Sequence, residues 1–390
     1  MRRIIVVAAV GTTQTLAWGS SYYLPAILAE PVAEGLGLSR TMVFGVFSGS
    51  LMLSALLGPA VGRAIDNRGG RGVLVLSNVV LAAGLVLLAV AQGGIGLAVA
   101  WAALGAGMAL GLYDAAFAAL AGLYGRAARG PITGITLVAG FASTIGWPLS
   151  AFLVANWGWR GTCLTWAALH LLIGLPLNRF LIPRAPPPEH AVEPEGMIAT
   201  ASPRGAMAIL AFVFAATWFV TGAMAAHMPR LLEIAGAGST AAITAAALVG
   251  PAQVAARLVE FGALRWLHPL ASARIAAAMH PVGAGILAVF GVPAIIVFAL
   301  FHGAGNGLLT IAKGTLPLTI FGPVGYGLRN GILAAPARAA QAASPLIFGL
   351  LIDWLGVGAL AVSSGMSIAA LLALIGLRAE ASPAALLSRV

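Results

Sequence analysis

Leu104-Gly105-Ala106-Gly107 and, 198 residues later, His302-Gly303-Ala304-Gly305 decide the fold, because the second stretch repeats the first. Around them Trp18 recurs as Trp218, Gly134 as Gly331 and Pro148 as Pro345, so the offset stays between 197 and 200 residues. Neither string is a phosphate-cradling loop: each lies within an apolar run and follows no strand, where Gly serves close contact between helices. A duplicated set of apolar spans implies two pseudo-symmetric halves. A site between matched halves opens to either side when one half rocks against the other.

Of 390 residues, 60% are hydrophobic and only 8% charged, whereas a soluble domain carries roughly a quarter charged residues. The solvent for most of this chain is therefore lipid. Inside a bilayer every backbone N–H and C=O has to be satisfied within the protein, and apolar runs of roughly 20 residues select helices over a β-barrel. The net charge of +10 does not indicate nucleic acid, since the basic residues sit at helix ends instead of clustering with aromatics on a polar domain. Lone Cys163 excludes an internal disulfide, and no Cys/His cluster has metal-ligand spacing. With no His-Glu-x-x-His and no nucleophile elbow either, neither a metal, a cofactor nor an enzyme is expected. Met1-Arg2-Arg3 before Ile4–Val10 imitates a secretory signal, yet the apolar run continues to Leu28 through the repeated Trp18 and reads as a first span.

Hydropathy predicts twelve spans, from 4–28 to 357–377. They divide into an N-terminal six-helix bundle over 1–182, a linker over 183–205 containing Pro186-Pro187-Pro188-Glu189, and a C-terminal six-helix bundle over 206–390. The fold class is an all-α membrane protein. With the N-terminus inside, fifteen basic residues fall at cytoplasmic ends and three, Arg40, Arg160 and Arg230, outside. Positive loops stay cytoplasmic, so both termini are expected in the cytoplasm of a plasma (inner) membrane.

Between the second and third spans runs Gly62-Arg63-Ala64-Ile65-Asp66-Asn67-Arg68-Gly69-Gly70-Arg71. It resembles the loop signature of the major facilitator superfamily, Gly-x-x-x-Asp-(Arg/Lys)-x-Gly-x-Arg, with Asn67 where a basic residue is usual. Physically, Gly62 permits close helix approach, while Asp66 can cap a helix N-terminus or pair with Arg126 or Arg129. The resemblance implies that Gly62, Asp66, Arg68 and Arg71 latch one conformation of a transport cycle. The matching loop of the second half, Gly262-Ala263-Leu264-Arg265-Trp266, lacks the acid. The resemblance also implies that spans 1, 4, 7 and 10 line a central pathway flanked by 2, 5, 8 and 11.

Three cations and one acid lie inside spans, and each costs about 2.5 to 3.5 kcal/mol at mid-membrane, so they need a watered cavity or a partner. In span ten His302, Asn306, Thr310 and Lys313 step by 4, 4 and 3 and share one helical face, either toward the pathway or along a polar seam. In span eight Arg257 has Glu260 one turn away, which leaves open a local pair or a substrate contact. Arg338 in span eleven, with Gln341 beside it, is too deep to snorkel easily to either surface. Asp114 lies within a residue of the position equivalent to Lys313, and it reads as a proton-coupling acid or as half of a permanent ion pair. Trp18, Tyr22 and Trp218 can close over a small ligand or serve as packing.

An arginine in span eight with a cation in span eleven is similar to the oxalate and monocarboxylate branches of the superfamily. A guanidinium suits a carboxylate because it donates two parallel hydrogen bonds. The expected function is therefore proton-coupled symport of a small organic anion, a mono- or dicarboxylate, by a monomer in the lipid bilayer. Efflux of a drug-like or metalloid compound is the alternative, and a non-transporting sensor a remote one.

Overall fold

The computed structural model describes residues 3–184, 205–263 and 266–377. The linker from 185 to 204, Leu264, Arg265 and the terminal arginines Arg2, Arg378 and Arg389 lie outside the described residues. The first half contains α1 (Arg3–Ser20), α2 (Pro25–Leu36), α3 (Arg40–Arg68), α4 (Gly70–Ala89), α5 (Gly93–Gly111), α6 (Tyr113–Tyr124), α7 (Arg129–Ala139) and α8 (Ala142–Leu169). The second contains α9 (Ala206–Ile234), α10 (Ser239–Ala247), α11 (Val249–Gly262), α12 (Pro269–Phe290), α13 (Ile295–Phe321), α14 (Tyr326–Leu355) and α15 (Ala359–Gly376).

Among the described residues nine helical stretches are long and apolar enough to cross a membrane. One, Gly93–Leu181, has 89 residues, and another, Tyr326–Gly376, has 51. At about 1.5 Å per residue those lengths suffice for three passes and two, which brings the total to twelve. Gly125 and Gly158, with φ of 54° and 65°, make the reversals within the longer stretch, a backbone that only glycine adopts without strain. Several passes are broken: the first between α1 and α2, the fourth between α5 and α6, the fifth between α7 and α8, and the eighth between α10 and α11.

The outer surface carries large apolar side chains, among them Ile95, Leu172, Val289 and Leu346, each more than 70% exposed, which only lipid accommodates. Inside, one buried cluster runs from Val6 to Ile182 and takes only Leu318 and Tyr326 from the second half. The remaining clusters draw entirely on residues 206–377, so each half has its own core.

The repeated glycines do equivalent work. A Cβ on Gly105 would sit 2.6 Å from the Ser50 carbonyl of α3, and one on Gly303 would sit 2.6 Å from the Val249 carbonyl of α11. Gly107 likewise lies against α4 at Leu81, and Gly305 against α12 at Ala276. The fourth and tenth passes thus pack on the second and third passes of their own halves at backbone distance, an approach that any side chain would block.

Between the halves, the main contacts run from α3, α6 and α7 to α11, α13 and α14. They concentrate at one end. There Gly62 of α3 meets the Gly327 carbonyl of α14, and Gly58 of α3 meets Gly331. The opposite portions of the fifth and eighth passes, α8 and α10, take no part in these main contacts.

Candidate functional site

The fourth pass owes its chemistry to a break. Leu112 is extended, with ψ of −175°, and the Ala115 N–H, which an unbroken helix would give to Gly111, donates to Leu112 O at 3.1 Å. The freed Gly111 carbonyl accepts Nε2 of Gln14 from α1 at 2.5 Å. A buried carbonyl with no donor would be costly, so Gln14 makes the break tolerable. The restarted helix α6 carries Asp114 in its first turn, where the positive end of the helix dipole favours a negative charge.

Asp114 receives two cations from the other half. Lys313 Nζ of α13 lies 2.8 Å from Asp114 Oδ1. Arg338 of α14 donates to Asp114 Oδ2 through Nη2 at 2.6 Å and Nε at 3.1 Å, and through Nη1 to Ser54 Oγ of α3 at 2.5 Å. All three charged side chains are about nine-tenths buried. Two cations thus share one carboxylate, and the cluster carries one positive charge in excess.

Aromatic groups enclose it. The Trp218 ring lies 4.8 Å from Lys313 Nζ, a cation–π contact, and Trp18 packs edge-on against Tyr22 and tilted against Tyr113. Gln341 Nε2 donates to the Tyr22 hydroxyl at 2.8 Å across the two halves. A small cavity adjoins Asp114, Lys313, Arg338, Gln341, Trp18 and Tyr22. Its walls come from passes 1, 2, 4, 7, 10 and 11 and not from the fifth or eighth. The indole N–H of Trp18 is buried there without a partner.

The other residues singled out from sequence lie elsewhere. Arg257 does not line this cavity: it donates to the Thr136 carbonyl of α7 at 3.2 Å and to Thr310 at 3.4 Å, bridging the halves nearer the Asp66 end. Its local pairing with Glu260 is not seen; Glu260 instead takes Arg129 of α7 at 3.2 Å and Ser272 at 2.9 Å. The polar face of the tenth pass is divided. Lys313 reaches the charged cluster, while His302 and Asn306 adjoin a second small cavity wholly inside the C-terminal half. There His302 Nδ1 meets His280 Nδ1 at 3.0 Å, and Asn306 Oδ1 accepts from Thr221 at 3.0 Å. His302 and Lys313 are 11 residues apart on one face, which at about 1.5 Å per residue places them roughly 16 Å apart along the axis, so one stripe serves two sites.

Asp66 does not pair with Arg126 or Arg129. Its Oδ1 and Oδ2 accept the Gly327 and Leu328 N–H groups at 2.8 Å each, capping the N-terminus of α14 across the halves. Arg68 is exposed at the end of α3, and Arg71 is half-buried at the start of α4. Sequence reasoning passed over Ser54 and Asn330, which touch the cluster. Tyr113, next to Asp114 in span four, and Gln14, on the span-one face of Trp18 and Tyr22, are legible as candidates, and the structure places Tyr113 at the cavity and Gln14 behind it as a support. Gln14 also departs from the repeat: its partner, 200 residues on, is the apolar Phe214.

The family model of the Major Facilitator Superfamily matches residues 10–280. The chain belongs to that superfamily. Among solved structures with the superfamily fold, the human organic anion transporter MFSD10 (TETRAN) aligns with a TM-score of 0.72 at 17% identity, covering 96% of this chain and 99% of that one. The proton:xylose symporter XylE bound to 6-bromo-6-deoxy-D-glucose aligns with a TM-score of 0.76 at 15% identity, covering 96% and 95%. No curated protein sequence matches the chain. At these identities the likeness shows the fold, an all-helical pair of pseudo-symmetric bundles, and it is the family match that makes the chain a member of a transporter superfamily. In this superfamily member the charged cavity lies between the bundles, lined from both halves.

Proposed function

We propose that this chain carries a small organic anion, a mono- or dicarboxylate, by proton-coupled alternating access. The observation that carries the reading is the charge count: two buried cations against one carboxylate leave room for one further negative group. A carboxylate entering the cavity would take the Arg338 guanidinium in parallel hydrogen bonds and the Lys313 ammonium as a point charge, displacing Asp114. Trp18, Tyr22 and Trp218 would cover its apolar remainder, with Gln341 positioned by Tyr22. Arg257, His302 and Asn306 act outside that contact set, Arg257 by holding the halves together. Asp114, stripped of both partners in a buried site, would take a proton, which couples the two fluxes.

The Asp66 end is assigned to the cytoplasm, because Arg63, Arg68, Arg71, Arg126 and Arg129 gather there, and both termini follow to that side. The boundaries 1–182, 183–205 and 206–390 describe the two bundles and their connector in a monomeric carrier. In that orientation the structure is closed inward, with Gly62 and Asp66 latching α3 to α14 and Arg68 and Arg71 flanking the latch on the loop. The organic anion and proton-coupled proteins that share the fold are compatible with this reading, although the charge count bears its weight.

The test uses purified protein in proteoliposomes with radiolabelled oxalate and lactate as probes. Accumulation driven by an inward proton gradient is expected, and Arg338→Ala should abolish it. No uptake of either probe, together with export of an uncharged or cationic toxin that survives Arg338→Ala, would replace the anion reading with efflux.

A further inference from the structure

We propose that Asn330 is the hydrogen-bond acceptor that receives Asp114 once its carboxyl carries a proton, which makes it a positioning residue for coupling. This rests on the reading of Asp114 as the coupling acid.

Asn330 is fully buried in α14, between the Asp66-capped start of that helix and Arg338. Its Nδ2 lies 3.3 Å from the Asp114 carbonyl and 3.5 Å from Asp114 Oδ1. Its Oδ1 is buried and has no hydrogen-bond partner. A buried acceptor left empty is costly, and the cost is recovered in any state that supplies a donor. In the present state none is available: Lys313 holds Asp114 Oδ1 and Arg338 holds Oδ2, and an ionised carboxylate only accepts.

An anion that takes both cations reverses this. Hydronium on the accessible side gives its proton to Asp114 Oδ1 and leaves as water, and the new O–H requires an acceptor. A half-turn of the Asn330 amide about its Cβ–Cγ bond exchanges Nδ2 for Oδ1, groups of nearly equal size, and brings the empty acceptor to the carboxyl. The charged groups facing Asp114 are Lys313 from α13 and Arg338 from α14; the neighbouring phenols are Tyr22 before α2, Tyr113 of its own helix and Tyr326 of α14. Tyr326 spends its O–H on the Gly314 carbonyl at 2.7 Å, and Asn330 Oδ1 is the buried acceptor beside Asp114 that has no partner.

The test needs no substrate. In a Lys313→Met/Arg338→Leu background, which strips Asp114 of both cations as an anion would, infrared difference spectra of protein in phosphatidylcholine liposomes are recorded from neutral to acid pH. The protonated-carboxyl band of Asp114 is the one lost when Asp114→Asn is added. Adding Asn330→Leu, which deletes donor and acceptor at similar volume, should lower the midpoint of that band by about one pH unit, a tenfold weaker hold on the proton. Asn330→Ser, which restores an acceptor, should recover most of the shift, and Asn330→Ala gives the same comparison if the leucine variant does not fold. An amide that merely steadies the ionised carboxylate through Nδ2 predicts the opposite sign. An upward or absent shift therefore overturns the proposal, whereas a spectrum in which Asp114→Asn removes no band overturns the coupling-acid reading beneath it.

Discussion

The fourth and tenth passes descend from one repeated sequence and do opposite things at the same depth. Both approach the second and third passes of their halves through glycines, with Gly105 and Gly303 each at 2.6 Å, measured from a built Cβ, to a neighbouring carbonyl. Beyond that point they part. The fourth pass stops at Leu112 and restarts with an acid in the first turn of α6, whereas α13 runs unbroken from Ile295 to Phe321 and bears a lysine. A carboxylate is short and is stabilised by a helix N-terminus, so a break delivers it; a lysine has a long stem and needs no local end. The companion helices follow suit. Gln14 donates to the carbonyl that the break frees, and its repeat partner is Phe214, buried where no carbonyl has been freed. Symmetry is kept where backbones must touch and abandoned where charges must differ.

Removing the acid is the strongest way to break this pairing. Asp114→Ala leaves Lys313 and Arg338 buried together with no counter-charge, and loss of one partner from a buried ionic cluster costs about 3–5 kcal/mol. A large fall in the thermal unfolding temperature of the purified protein is expected, together with loss of uptake. Lys313→Met should be much milder, because Asp114 and Arg338 then balance each other. A lysine variant as unstable as the alanine variant would mean that the ammonium, rather than the acid, organises the cluster.

The break itself is tested by Gln14→Leu, which strips the Gly111 carbonyl of its donor at a cost of about 1–3 kcal/mol. Phe214→Leu at the equivalent place leaves no polar group unpaired, so its thermal shift reports lost packing alone. The informative quantity is substrate affinity. Gln14→Leu should lower it by loosening the first turn of α6, while Phe214→Leu should leave it close to wild type.

These residues also mark how far the sequence could be read. Membrane class, twelve passes, the twofold repeat and the family were legible because each rests on composition, on period or on a glycine whose job is steric. Asp114, Lys313 and Arg338 stood out because a charge within an apolar run is expensive wherever it points. What could not be read was direction. Arg257 and Lys313 are both cations within apolar spans, yet one bridges α7 and α13 and the other faces the cavity, a difference of helix rotation that residue types do not encode. The break at Leu112 follows Gly111, but that glycine is one of several in the run and does not single the place out; tertiary partners such as Gln14 support it. Asn330 drew no attention because an amide in an apolar helix has no meaning until its neighbour is known.

The smallest quantity expected, a coupling of no more than about 0.5 kcal/mol between two glycine substitutions, is also the sharpest statement of what the two passes share. Gly105→Ala and Gly303→Ala each force a methyl group against a carbonyl that lies 2.6 Å from its position, overpacking that costs about 1–3 kcal/mol apiece. The two sites lie in separate halves with different neighbours, Ser50 in one and Val249 in the other. Well-separated substitutions add to within about 0.5 kcal/mol, so the double variant should melt at the temperature given by summing the single shifts. That additivity holds only if each bundle packs on its own core. A double variant much less stable than the sum would show that the halves support each other through the fourth and tenth passes, and that the charged cluster between them is a structural bond as well as a site.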